Sequence, residues 1–223
     1  MRTTVAVLRL ATAGLIVAAV VAQWALAQQA PTYRPANFFG YFTIQSNLIG
    51  AVALVVGAVT LLRRSAPATW QVVLRGAATA FLATTGVVYN TLLVDAALDG
   101  SFTLPWSNDV LHRVVPVLVV LDWLVVGDRR PITWRALPVF LAYPLVWLAV
   151  VLARGDDFVP YPFLDVARLG LGTVLLWCLA VAAVIGLASA LVVAWSRADR
   201  ALLRPERPRT AGTGPGAGQR SGS

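Results

Sequence analysis

Apolar residues fall in long unbroken runs along this chain, and polar residues collect in the short stretches between them. Six runs stand out, at residues 10–27, 41–62, 76–97, 110–126, 136–153 and 166–195. A helix that crosses a bilayer needs about 20 mostly apolar residues, so each run predicts one membrane-spanning helix. No run alternates polar and apolar positions, as the strands of a membrane barrel do. The sixth run is too long for one crossing and predicts a tilted helix or ends that project from the hydrocarbon. The expected fold is an all-α bundle of six transmembrane helices over residues 1–195. From Ser196 onward Arg-Pro pairs give way to Thr210-Ala211-Gly212-Thr213-Gly214-Pro215 and a Gly/Ser end, which predicts a disordered basic tail over 196–223.

Composition supports this class. The chain has 223 residues, 58% of them hydrophobic and 13% charged, where a soluble domain carries about 25% charged residues. A soluble enzyme and a disordered chain are both excluded. The one cysteine, Cys178, excludes an internal disulfide scaffold. All 18 basic residues are arginine, and 14 of them fall on the side of the two termini. Only Arg34, Arg113, Arg154 and Arg168 fall on the other side, which puts both termini in the cytoplasm and the chain in the cell membrane. The net charge of +8 is therefore an orientation signal and a contact for anionic lipid. No separate basic domain exists to bind nucleic acid. Ala25-Leu26-Ala27 is similar to a signal-peptidase site, but the first run is longer than a signal core of about 7–15 residues, and a retained helix is expected.

Polar groups inside a bilayer are costly, so their positions carry the most information. With the amino terminus inside, Thr43, Gln45, Ser46 and Asn47 lie in the first two turns of the second span, near the outer surface. Thr43 and Asn47 are four apart and share a helical face. His112 sits about one turn into the fourth span, again from outside. Tyr89, Asn90 and Asp95 come at the outer end of the third span, and Asp165 and Arg168 open the sixth. One histidine and one deep cysteine offer no metal set and no bis-histidine haem, so no cofactor is expected. Pro116 removes the amide that would bond the carbonyl of His112 and so loosens the helix there.

A threonine nucleophile needs a general base within about 3 Å and donors for the developing oxyanion. For Thr43 the base at matching depth is His112, with Asn47, Asn90 or Arg113 as candidate donors. Asp109, Asp95 or Asp165 can orient the imidazole. The bland alternatives are a threonine bonded to its own helix and a histidine bonded to a backbone group or to Asp109. Asp122 lies about 15 Å further along the helix and is expected to pair with Arg75, Arg64 or Arg130 at the inner surface. Trp106, Trp123, Trp134, Tyr161 and Phe163 fit interfacial positions. Gly57, Gly170 and Gly172 suggest close helix packing, and Cys178 a small buried apolar residue.

The segments Phe38-Phe39-Gly40-Tyr41-Phe42-Thr43-Ile44-Gln45-Ser46-Asn47, Thr85-Gly86-Val87-Val88-Tyr89-Asn90, Leu111-His112-Arg113-Val114-Val115-Pro116 and Tyr161-Pro162-Phe163-Leu164-Asp165 resemble the bacterial six-span "Pr-six-Pr" membrane proteins. The resemblance runs to about Trp195. That family is similar to the androgen-induced and androgen-dependent membrane proteins of animals, intramembrane threonine hydrolases that cleave fatty acid esters of hydroxy fatty acids. It implies a hydrolase with Thr43 as nucleophile and His112 as base, acting on a lipid-like ester partner from the membrane. Two rival functions stand beside it. A small proton-linked transporter would use His112, Asp95, Asp165 and Arg168 as a relay, and a non-enzymatic membrane partner or assembly protein would use its exposed helix faces. The substrate and the oligomeric state are not legible.

Overall fold

The computed structural model describes residues 1–94, 103–198 and 202–203. Among them the chain is helical, with no strand beyond an isolated bridge between Val126 and Leu203. Helix α1 (Arg2–Ala27) starts well before the first apolar run, because Arg9 is buried and paired rather than solvated. A short turn of helix α2 (Pro35–Phe38) precedes α3 (Phe42–Leu62). Helix α4 (Thr69–Val88) begins where Gln71 Oε1 accepts the Ala68 amide at 2.8 Å, and it runs on into a π-turn over Tyr89–Leu93.

The fourth run forms one continuous rod of three parts. These are α5 (Pro105–Asp109), a π-turn (Val110–Val114) and α6 (Val115–Val125), with helical dihedrals at both junctions. Helix α7 (Leu137–Arg154) follows, with Pro138 in its first turn, where a missing N–H costs nothing. The sixth run is not one tilted helix. It breaks into α8 (Val166–Leu169) and α9 (Leu171–Arg197) at Gly170, whose φ of 75° no continuing helix can hold. Gly170 is thus a breaker rather than a packing surface, and a Cβ on Gly172 would meet nothing within 4 Å.

Five of these helices are long and apolar enough to cross a membrane: Arg2–Ala27, Phe42–Leu62, Thr69–Leu93, Trp134–Asp157 and Leu171–Arg197. The α5–α6 rod carries Asp109, Arg113 and Asp122, which lower its apolar character. Helix α4 is the hub, packed against α3, α6 and α9, while α1 packs on α3 and on the α5–α6 rod. The buried share is 67% in the apolar window of Thr69–Leu93 against 17% in that of Trp134–Asp157. Helix α7 is therefore peripheral, and it turns Val139, Leu145, Val146 and Val150 outward. Helices apolar on their outer faces as well as their inner ones are built for lipid.

At the end of the bundle away from Thr43 lies a buried ion cluster. Arg9 Nε and Nη2 hold both oxygens of Asp122 at 2.8 and 3.0 Å, and its Nη1 reaches Asp128 at 2.6 Å. Arg75 grips Asp128 through both terminal nitrogens at 2.9 and 2.6 Å. The partner of Asp122 is thus Arg9 and not Arg75, Arg64 or Arg130. The α1–α3 and α4 packing brings Arg9 inside, and Gly57 makes the room, since a Cβ there would lie 3.1 Å from Arg9 Nη1. Burial alone would raise the Asp128 carboxyl, but the guanidinium groups of Arg75 and Arg9 outweigh it and hold it well below the usual carboxylate range. Trp123 faces the protein interior rather than its surface. It is buried, it donates to the Val192 carbonyl at 3.2 Å and it lies under Arg75 and Arg129.

The helical part of the chain extends past the expected boundary at residue 195. Ser196 and Arg197 still belong to α9, and Ser196 Oγ, buried, accepts the Ile132 amide at 2.9 Å. Leu203 exchanges backbone bonds with Gly127 and Val125 at 2.7 and 2.9 Å. Residues 199–201 and 204–223 of that stretch lie outside the described residues.

Candidate active site

The first turn of α3, the π-turn of the α5–α6 rod and the loop after α7 meet at one end of the bundle. Thr43 Oγ1, in a buried residue, lies 3.2 Å from His112 Nε2. His112 Nδ1 lies 2.9 Å from the carbonyl oxygen of Asn108, one turn earlier. A carbonyl only accepts, so Nδ1 carries the proton of the neutral ring and Nε2 turns its lone pair to the threonine hydroxyl. Thr43 Oγ1 is bonded across the bundle rather than to its own helix. Its other neighbour is the hydroxyl of Tyr161, 3.4 Å away, which also lies 3.4 Å from the Thr43 amide.

Local backbone chemistry explains why these groups meet. In the π-turn the Val115 amide bonds the Val110 carbonyl. The next bond in that register would run from residue 116 to the Leu111 carbonyl, but Pro116 has no N–H. Asn47 fills the gap, its Nδ2 donating to the Leu111 carbonyl at 3.2 Å and to the Thr43 carbonyl at 2.9 Å. The loosening expected at the His112 carbonyl is thus realised as a π-turn, the freed acceptor is Leu111, and one buried amide ties the first turn of α3 to the turn that carries His112. Ser46 Oγ adds a link to Thr85 Oγ1 at 3.2 Å. Gly86 lets α4 approach Pro116, since a Cβ there would lie 3.0 Å from the Pro116 Cβ and 3.4 Å from the His112 carbonyl oxygen. Gly86→Val is expected to displace the π-turn and to lower any activity of the Thr43–His112 pair more than it lowers the melting temperature, a comparison that an assay and a thermal scan of one preparation provide.

The other anticipated groups take different places. Asn47 is committed to two carbonyls and has no donor left for an oxyanion. Asn90 and Arg113 are exposed and joined, Arg113 Nε to Asn90 Oδ1 at 3.0 Å. Arg113 also pairs with Asp109 and lies 5.5 Å over the ring of Tyr89. Asp109 therefore serves the arginine and not the imidazole, which the Asn108 carbonyl orients instead. Asp165 caps α8 by accepting the Arg168 amide at 2.9 Å, and the Arg168 side chain is exposed, so neither joins Thr43 and His112. Asp95 lies outside the described residues. Among the described residues no three His, Cys, Asp or Glu side chains stand together as metal ligands.

Two tyrosines join the site in roles not legible along the chain, although the depth of Tyr89 was. Tyr89 stacks on the imidazole of His112, with centroids 4.1 Å apart and planes at 26°, and its hydroxyl accepts from the Asn108 side chain. Tyr161 and Phe163 stack on each other at 5.4 Å and line the site, with Tyr161 buried. Burial raises the Tyr161 phenol to about 12, against the pull of its bonds to Thr43, so it remains an O–H donor. Pro160 and Pro162 on either side of Tyr161 were the one signal in the sequence that this loop is rigid.

Thr43, His112 and Tyr161 share the wall of a cavity of about 170 Å³. The remaining lining is almost wholly apolar and includes Leu145 and Leu148 of α7 and Val181 and Ala182 of α9. Leu145 and Ala182 are exposed, so the cavity opens sideways between α7 and α9. Cys178 is half-buried on this lining rather than sealed in the core.

Fold and cavity together define a class: a helical protein of the membrane type, with a threonine–histidine pair at the polar end of an apolar side pocket. Compared with protein-family models, curated proteins and solved structures, the chain matches none.

Proposed function

We propose that this chain is a six-span protein of the cell membrane, both termini cytoplasmic, that hydrolyses a lipid ester from the outer leaflet. The observation that carries the reading is the alignment of the Thr43 hydroxyl, the His112 imidazole and the Asn108 carbonyl at the polar end of an apolar pocket. The positive-inside count of 14 arginines against 4 supports the orientation. The likeness to the bacterial six-span proteins and their threonine hydrolase relatives points to the same chemistry.

In the proposed reaction the acyl chain enters sideways between α7 and α9 and brings its carbonyl carbon to Thr43. Oγ1 attacks that carbon as its proton passes to His112 Nε2, and the carbonyl π pair moves onto oxygen. The intermediate collapses, the C–O bond to the alcohol breaks, and the proton on Nε2 goes to the departing oxygen. Water then repeats the cycle on the acyl-threonine, giving its proton to Nε2 and releasing the fatty acid and the Thr43 hydroxyl. Throughout, Nδ1–H stays on the Asn108 carbonyl, and the transient imidazolium lies against the face of Tyr89.

The test is ester cleavage by the detergent-purified protein on a panel of long-chain lipid esters, beside Thr43→Ala. The expected result is turnover by the wild type and none above background by the variant. An inert wild type, or an active Thr43→Ala, overturns the reading.

A further inference from the structure

We infer that Tyr161 is the oxyanion donor of this site: its phenolic O–H stabilises the negative oxygen that forms when Thr43 attacks an acyl carbonyl. The inference rests on the hydrolase reading above and assigns the group which that reading leaves open. Such a donor must be fixed before the reaction and aimed at the place where charge will develop. Tyr161 meets the first condition by its surroundings. Pro160 is fully buried, Pro162 opens the next turn, and the ring is packed by Tyr41, Trp147 and Phe163 at 6.0, 6.0 and 5.4 Å.

The second condition follows from counting protons. The Thr43 hydroxyl gives its proton to His112 Nε2, which carries none of its own. The Thr43 amide is a donor, so toward it the phenol oxygen accepts. The single phenol proton is then left for Thr43 Oγ1, 3.4 Å away. Once Oγ1 has bonded to the acyl carbon, the former carbonyl oxygen sits on that same carbon, within reach of the same O–H. The oxyanion also lies at the start of α3, where the first-turn amides of a 21-residue helix favour negative charge. No other group assigned to this task from the sequence is free: Asn47 is committed, and Asn90 and Arg113 are occupied at the surface.

The test compares wild type with Tyr161→Phe, first in turnover and then in binding two inhibitors of equal chain length. A long-chain trifluoromethyl ketone forms a tetrahedral oxyanion on Thr43, whereas the matching methyl ketone binds without one. Tyr161→Phe is expected to lower kcat by about 10²-fold with little change in KM, and to lose the preference for the trifluoromethyl ketone while keeping its affinity for the methyl ketone. Equal weakening of both ketones would mean that Tyr161 only packs the pocket, and unchanged turnover would remove it from the reaction; either overturns the inference and leaves the hydrolase reading intact. An inert wild type would overturn both. Because Tyr161→Phe can fail to fold, 3-fluorotyrosine placed at position 161 gives a second measurement. This more acidic phenol of nearly the same shape is expected to bind the trifluoromethyl ketone several-fold more tightly, and unchanged affinity counts against the inference.

Discussion

On the proposed hydrolase reading, His112→Ala is expected to leave ester cleavage about 10⁴-fold or more below wild type at the pH where wild type is fully active. The size of the effect follows from the geometry. A threonine hydroxyl is a poor nucleophile until a base takes its proton, and His112 Nε2, 3.2 Å away, is the base positioned to do so. In the proposed reaction the same ring returns the proton to the leaving alcohol, so its loss would remove both halves of the proton transfer. Asp109→Asn and Asp165→Asn are expected to stay close to wild type, because Asp109 answers Arg113 and Asp165 caps α8. A large loss in either aspartate variant would show that a carboxylate orients the imidazole. A fully active His112→Ala would return Thr43 and His112 to structural roles. Single-turnover kinetics on each variant, with thermal melts as the folding control, decides among these outcomes.

Asp128→Asn lowers stability by about 3–5 kcal/mol, the cost of leaving buried guanidinium groups short of a counter-charge. Asp128 is gripped by Arg9 and by both terminal nitrogens of Arg75, and Gly57 packs against the arginines with no slack. The asparagine keeps the shape and removes the charge. Arg75→Met in the same chain is expected to recover part of the loss, since it removes the stranded cation. Unfolding midpoints in one detergent for wild type, the two single variants and the double variant close the cycle, and additive effects would mean that the pair is uncoupled. The acid behaviour follows with its sign. The folded carboxyl is held below its ordinary value, so its contribution is fully present above about pH 4 and is lost as pH falls toward the depressed value. Wild type therefore loses stability at this site in strong acid, and Asp128→Asn has nothing there to lose.

The parts of the structure that follow from local residue chemistry were readable along the chain. Runs of apolar residues predict helices because a helix satisfies its own backbone, and among the described residues five such helices are long and apolar enough to cross a membrane. Pro116 announces a weakened helix at His112, since a missing N–H is a property of one residue. The depth of Thr43 and His112 follows from their distance to the ends of their runs, which made them candidates for one site.

What depended on which helix faces which was not readable. Whether Asp122 meets Arg9 or Arg75 is set by the seating of α1 beside α3 and the α5–α6 rod, and several arginines lie at similar depth. Tyr161 has the composition of an interfacial ring, and only the loop between α7 and α8 folding back over α3 makes it a neighbour of Thr43. The orienting partner of His112 is a main-chain carbonyl, and every residue has one, so no side-chain pattern could single out Asn108. The sequence by itself determined the helices, their apolar outer faces, the weak turn at Pro116 and the shared depth of Thr43 and His112, which the structure brings within 3.2 Å. The tertiary structure decided the pairing of charges, the role of Asn47, the place of Tyr161 and the side opening of the pocket. Periodicity and composition act through neighbours in sequence, whereas these contacts join residues 53 to 119 positions apart, and only packing brings such residues together.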